Sequence, residues 1–116
     1  MIQEYKELLL KDLCARLPYG VKCNALLKQI DGSLKSVFGT FKGYNNGLAT
    51  VGNNLVDIET VRPYLRPMSS MTEEEEIAFL NKENYEIYDW LNDHYFDYRG
   101  LIEKDLAIEA PKDMYK

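Results

Sequence analysis

Short segments of apolar residues, separated by turn sequences, constrain the fold of this chain most strongly. Asp31-Gly32 and Asn46-Gly47 are hairpin signals, because their residues tolerate the positive φ angles of tight turns. Four segments have the length and composition of short strands: residues 21–25, 37–41, 48–51 and 55–58. Four or five short strands at this spacing predict a small curled antiparallel sheet or barrel.

An amphipathic helix is predicted before the strands, over residues 3–17. Tyr5, Leu9 and Leu13 recur at a four-residue spacing and form one apolar stripe. Pro18 ends the helix. We expect the stripe to cap one opening or face of the barrel. Most of the polar residues lie on the opposite side of the helix: Glu4, Lys11, Asp12 and Arg16.

Two helices are predicted after the strands. Thr72 followed by Glu75 is a capping box, in which each residue binds a free backbone N–H at the helix start, and Ser70 with Glu73 is an equivalent alternative. That helix is expected to continue to about residue 81. A second helix is expected over about residues 85–96, and Gly100 ends the helical region.

Together these patterns predict a single α+β domain over residues 1–116. It comprises an N-terminal helix at 1–17, a small SH3-like antiparallel β region at 18–67 and a C-terminal helical region at 68–116. The two C-terminal helices are expected to form a hairpin packed against the sheet. The SH3-like comparison rests on a last strand that runs into one helical turn, and it is a fold analogy without functional content.

Charge is divided unevenly along the chain. Residues 1–66 carry nine Lys or Arg and six Asp or Glu, a net charge of +3. Residues 67–116 carry five Lys or Arg and thirteen Asp or Glu, a net charge of −8, and the two sums recover the net charge of −5. Such asymmetry between halves of an acidic protein is a hint about its partners.

The sequence predicts a cytoplasmic protein with no membrane partner. No apolar run approaches the roughly 18 residues of a membrane span. The first residues include acids where a signal peptide needs bases. Cys14 and Cys23 fit neither a zinc template nor a Cys-x-x-Cys motif, and we expect two reduced thiols. No metal and no cofactor is predicted.

Three stretches of the chain carry a family resemblance: residues 18–22, residues 63–75 and the run from Asp89 to Asn92 that continues through 96–104. They resemble a family of small proteins encoded by bacteriophages and prophages of Bacteroides-type gut bacteria. Relatives tend to have Gly where this chain has Asp105. The resemblance implies a phage or prophage origin, and it implies no activity, cofactor or catalytic residue.

Two clusters could carry chemistry, and each also has a structural interpretation. His94 lies near Asp97 and could be a general base, a metal ligand or a structural residue on the helix. The run of four acids at 73–76 could bind a cation or mimic phosphates, and it also suits the positive end of a helix dipole. We predict no catalytic residue and no enzyme.

The leading functional hypothesis is a non-enzymatic module that binds a host or phage protein. The C-terminal half is rich in Tyr, Trp and Arg, the residues most frequent in binding hot spots. Trp90 and Tyr98 could instead build the core between the helices and the barrel. The predicted protein-interaction residues are Tyr64, Arg66, Trp90, Tyr95, Tyr98 and Arg99.

The alternative hypothesis is a regulatory protein that binds nucleic acid. Small barrels bind strands by combining basic grooves with aromatic rings on which bases stack. Lysines on strands also protect sheet edges from aggregation. In a variant of this hypothesis, the acidic C-terminal half imitates DNA. The residues predicted for nucleic-acid binding are Lys22, Lys28, Lys35, Lys42, Phe41 and Tyr44.

The second C-terminal helix is apolar on more than one side, and such a helix must be buried on more than one side. The barrel and the preceding helix cover two faces at most, so a symmetric homodimer is predicted to cover the third. The aromatic and apolar residues concerned are Tyr85, Tyr88, Trp90, Leu91, Tyr95 and Phe96.

Overall fold

The computed structural model describes residues 1–115 and has an α+β architecture. Short 3-10 turns at Leu17–Tyr19, Ile58–Thr60 and Met68–Ser70 join the main elements. The helices are α1 (Gln3–Ala15), α2 (Glu73–Leu80) and α3 (Asn84–Asp93). The strands are β1 (Lys22–Lys28), β2 (Leu34–Asn45), β3 (Leu48–Val51), β4 (Asn54–Asp57), β5 (Arg62–Leu65) and β6 (Ile108–Glu109).

One sheet contains all six strands, in the order β4-β3-β2-β1-β5-β6. The first five strands pair antiparallel, as predicted. The prediction did not include β6, which runs parallel to β5 and makes the sheet mixed. A strand of two residues is too short to give a periodic pattern in the sequence, and only the return of the chain after α3 places it beside β5.

The turns between strands follow the predicted signals. Asn46 and Gly47 both have positive φ angles, 50° and 85°, and they join β2 to β3. Gly39 lies where the long β2 crosses the turn after β3. A Cβ atom at position 39 would come within 2.8 Å of the Gly52 backbone nitrogen, so only glycine fits there without a backbone shift.

Helix α1 begins at the predicted residue, and its apolar stripe packs on the sheet through Leu9 and Leu13, which are fully buried. The assignment of Asp12 and Arg16 to the polar side is wrong, because both side chains are also fully buried. They bind each other at 2.9 Å, four residues apart. Burial of this pair is tolerated because each charge has a partner.

Helix α2 begins with the predicted capping box. The Thr72 hydroxyl accepts from the Glu75 N–H, and the Glu75 carboxylate accepts from the Thr72 N–H. Helix α3 ends at Asp93, three residues before the predicted end. Residues 95–97 instead pair with the end of β5: the Arg66 N–H donates to the Tyr95 carbonyl, and the Asp97 N–H donates to the Arg66 carbonyl.

The core lies between α1, the inner face of the sheet and the segment 101–107. Strand residues alternate between this core and the opposite face: Cys23 and Ala25 of β1 are buried, whereas Leu26 and Lys28 are exposed. Both cysteines are free thiols, and burial raises the pKa of the Cys23 thiol. No helix within residues 1–115 is long and apolar enough to cross a membrane.

Candidate functional site

Two of the predicted interaction residues join β5 to the C-terminal helices. Arg66 donates to both carboxylate oxygens of Glu75, at 2.6 and 2.7 Å, and its guanidinium lies 4.2 Å from the centre of the Phe96 ring. Trp90 stacks on Phe96 and on His94, with ring centres 5.7 and 4.2 Å apart. These contacts fix α2 and α3 to the end of the sheet.

Two further predicted residues belong to an ion cluster at α1. Arg99 Nη1 donates to Asp12 Oδ1 at 2.8 Å, and Arg16 binds both oxygens of the same carboxylate. Arg16 also donates to the Phe96 carbonyl at 2.7 Å. The Tyr98 ring lies beside both guanidinium groups, 5.4 Å from that of Arg16 and 4.5 Å from that of Arg99. This cluster attaches α1 to the chain that follows α3.

Tyr95 takes part in a third internal contact, with the C-terminal segment. Its hydroxyl donates to the Tyr19 carbonyl, and its ring stacks on Tyr115 at 3.7 Å. The Tyr115 hydroxyl donates to the Tyr64 carbonyl at 2.7 Å and accepts from the Lys22 N–H at 3.0 Å. It thereby bridges β1 and β5 beyond their short ladder, and burial raises the pKa of the Tyr115 phenol.

Tyr64 is the predicted interaction residue that lies on an open surface. The face of the sheet opposite the core, here called the outer sheet face, carries Tyr64 on β5 and Phe38 on β2. The two ring centres are 5.7 Å apart. The other five predicted residues make the internal contacts described above, so part of the aromatic signal in the sequence comes from packing.

The residues predicted for nucleic-acid binding do not form one surface. Phe41 is 1% exposed and belongs to the core, so the prediction that it offers a stacking surface is wrong. Lys22 and Lys28 are on the outer sheet face, but Lys35 pairs with Leu27 on the opposite face. Tyr44 pairs with Ala49 beyond a bulge in β2, and Lys42 lies at that bulge. Phe38 is the more exposed of the aromatic rings on β2, at 55%, and it lies on the same face of the sheet as Lys22.

His94 contacts its own helix, and its Nδ1 lies 4.0 Å from the Asp93 carboxylate. Its Nδ1 lies 2.9 Å from the Trp90 carbonyl oxygen, and its ring stacks on the indole. Asp97 does not pair with His94: it accepts from the N–H groups of Leu101 and Ile102, at 2.8 and 3.0 Å. Among residues 1–115, no three His, Cys, Asp or Glu side chains come together in an arrangement that could hold a metal ion.

A groove of about 630 Å³ lies between the start of α2 and the C-terminal segment. Arg66 and Glu75 line one wall and bind each other, while Lys112 and Tyr115 line the other side. The pairing of Arg66 with Glu75 leaves neither charge free to define a ligand. The groove therefore gives no specific functional hypothesis.

The most exposed apolar residues of the C-terminal half lie on α2 and α3. The segment 73–93, here called the helical arm, includes α2, in which no residue is buried. Leu80 and Tyr85 are 73% and 80% exposed. The arm also carries eight carboxylates and one lysine, a net charge of 1 − 8 = −7. Ile77 and Tyr88 are likewise exposed, at 59% and 63%.

Comparison of the chain with protein-family models, with curated proteins and with solved structures found no match. Functional conclusions therefore depend on the geometry of the helical arm and the outer sheet face.

Proposed function

We propose that this chain is a non-enzymatic, cytoplasmic interaction module of phage or prophage origin that binds a basic surface of a host or phage protein through its helical arm. The proposal includes an SH3-like barrel for β1–β5 and a hairpin of α2 and α3. The order β4-β3-β2-β1-β5 and the 3-10 turn between β4 and β5 support the barrel. A ring contact of 5.8 Å between Phe79 and Trp90 supports the hairpin.

The observation that carries the proposal is the exposure of apolar side chains on an element that buries none. Ile77 and Leu80 are three residues apart and share one face of α2, as Tyr85 and Tyr88 do on α3. A short helix in water is unstable without a packed face. These apolar residues make no contribution to the core of the protein, which fits a role in contacts with another molecule.

Charge defines the kind of partner. The exposed apolar pairs are surrounded by carboxylates, among them Glu76, Glu83 and Asp89, and the net charge of the arm is −7. A complementary surface is rich in Lys and Arg, and long-range attraction would accelerate its association. A second copy of the chain would present the same negative charge, so a basic protein suits the arm better than the predicted homodimer.

A photo-crosslinking amino acid at position 85 tests the proposal in the bacterial host. We expect an adduct with a protein whose crosslinked segment is rich in Lys and Arg, and no such adduct from position 44 on the sheet. With that protein purified, replacing Leu80 and Tyr85 by Ser should weaken its affinity about tenfold or more, the typical loss at hot spots. An adduct of two copies of the chain, or equal adducts from both positions, would contradict the proposal.

The charge of the arm also favours a second candidate function, in which it imitates DNA. In that case the basic partner is a DNA-binding protein, and duplex DNA competes with the chain for it. Titration of duplex DNA into the purified complex distinguishes the two candidates. Displacement of the chain from its partner by stoichiometric DNA supports the mimic. A complex that stays unchanged supports a binding surface on the partner that is separate from its DNA site.

A further inference from the structure

The outer sheet face is a second surface, separate from the helical arm. Paired residues of an antiparallel sheet share a face, and alternate residues along a strand return to it. Asn24 pairs with Phe38 on one side and with Arg62 on the other, while Lys22 pairs with Thr40. The part of the face that spans β2, β1 and β5 includes Lys22, Asn24, Leu26, Phe38, Arg62 and Tyr64.

Two aromatic rings lie at the centre of this face. Phe38 is 55% exposed, although it is on a central strand of the sheet, and the half-buried Tyr64 lies 5.7 Å away at an angle of 58°. Asn24 lies on β1, between the strands of the two rings. Its side chain donates to the Ser36 hydroxyl at 2.7 Å, and this hydrogen bond fixes the Asn24 side chain beside the rings. The exposed ring of Phe38 offers a flat apolar surface with no partner on its open side within the described residues.

The charged residues on the three strands of this part of the face, β1, β2 and β5, have a single sign. Strands β1, β2 and β5 contain Lys and Arg but no Asp or Glu. Lys22 and Lys28 extend from the outer face of β1. Arg62 directs its guanidinium to the backbone carbonyls of Glu59 and Val61, so the lysines are the cations available to a ligand. A ligand complementary to this face carries negative charge and flat rings.

We propose that the outer sheet face binds single-stranded nucleic acid, with a base stacked on Phe38 and the sugar-phosphate backbone beside Lys22. Unpaired bases expose the π-faces that stack on aromatic side chains, and phosphates are attracted by lysines next to those rings. A duplex hides the faces of its bases within the stack, whereas a single strand exposes them. The single strand is therefore the ligand that fits this face.

Fluorescence anisotropy with a labelled oligothymidylate of about 12 nucleotides tests the inference, because one small barrel binds a strand of about that length. The wild-type protein should bind it saturably at about 50 mM salt and more weakly at about 200 mM salt. A duplex of the same length should bind more weakly than the single strand. No saturable binding of the single strand at the lower salt concentration would overturn the inference.

Matched variants locate the site. Phe38→Ala should raise the dissociation constant about tenfold through loss of stacking. Phe38→Trp keeps a ring at this position and should bind with an affinity close to that of the wild type. Tyr44→Ala removes an exposed ring beyond the bulge and should not change the dissociation constant. Lys22→Gln should reduce the slope of log affinity against log salt by about 0.7, the value for one phosphate of a single strand. Lys35→Gln, on the opposite face, should leave that slope unchanged. Thermal melting of each variant verifies its fold.

An oligoglutamate of equal charge distinguishes nucleic acid from an acidic protein segment. Displacement of the oligothymidylate by oligoglutamate at the same concentration, or equal losses in Phe38→Ala and Tyr44→Ala, would overturn the inference. An affinity of Phe38→Ala equal to that of the wild type would also overturn the inference. None of these outcomes affects the proposed role of the helical arm, because no variant changes residues 73–93.

Discussion

The sheet with α1 and the helical arm differ in how they use their apolar residues. In the first region, Leu9, Phe41 and Leu65 are almost fully buried within one cluster. In the arm, α2 buries nothing, and Leu80 and Tyr85 are largely exposed. The arm is attached through a small number of contacts, mainly those of Arg66 and Trp90. We therefore expect the stability of the protein to depend on the first region, whereas the exposed surface of the arm can contact another molecule.

The largest expected effect comes from the buried ion cluster. Asp12→Asn removes the only carboxylate that binds Arg16 and Arg99 among the described contacts. Loss of one partner leaves a buried arginine uncompensated, which should destabilise the protein by about 3–5 kcal/mol. Chemical unfolding measures the change. Glu4→Gln, at an exposed position of the same helix, is the control and should have little effect. If Asp12→Asn and Glu4→Gln had the same free energy of unfolding, the stability of the protein would not depend on the buried ion cluster.

A smaller effect is expected where the C-terminal segment joins the sheet. Tyr115→Phe keeps the ring that stacks on Tyr95 but removes the hydroxyl that bridges Lys22 and Tyr64. Leaving these partly buried backbone groups without a partner should cost about 1 kcal/mol, the lower end of the range for buried groups. Tyr88→Phe, at an exposed ring, should be neutral by the same unfolding measurement. A neutral Tyr115→Phe would show that water replaces the hydroxyl without loss.

Much of the secondary structure in both regions could be predicted from the sequence, because its signals are local. Asn46-Gly47 adopts the positive φ angles that its composition favours, and Thr72 with Glu75 forms the predicted capping box. The burial of Asp12 and Arg16 could not be predicted in this way, since Arg99 and the Phe96 carbonyl reach them from distant sequence. The sequence gives one signal for this pair: Asp12 and Arg16 are four residues apart, the spacing at which opposite charges on a helix can bind each other.

The contact that attaches the arm should depend on pH. The Arg66 guanidinium holds the pKa of the Glu75 carboxyl at about 2, below its ordinary value of 4.5. Because the folded-state pKa is lowered, the stabilisation is present above about pH 4.5 and is lost as pH falls towards about 2.

Glu75→Gln should therefore lower stability at neutral pH by about 1 kcal/mol, the upper range for a partly exposed pair. The difference from wild type should shrink as the pH approaches 2. Glu74→Gln, in the same turn, is the control. A difference between wild type and Glu75→Gln that stays constant from neutral pH to about pH 2 would show that the ion pair does not stabilise the arm.

The candidate sites were harder to predict than the fold. Aromatic residues indicate both cores and interfaces: Tyr98 and Trp90 are half-buried and contact other parts of the chain, whereas Tyr85 and Phe38 are exposed. Strand alternation would have placed Phe38 and Phe41 on opposite faces, but which face is buried depends on where α1 packs. That position is set by tertiary contacts and has no local pattern in the sequence.

The smallest effect on stability tests most directly whether the helical arm is a binding surface. The variant with Ser at positions 80, 85 and 88 removes the three most exposed large apolar side chains of the arm. Its free energy of unfolding should lie within about 1 kcal/mol of wild type, as expected for surface substitutions. Chemical unfolding of both proteins under identical conditions gives the answer. A loss of about 3 kcal/mol or more, comparable to the effect of core truncation, would show that these residues hold the fold together and would contradict their assignment to a binding surface.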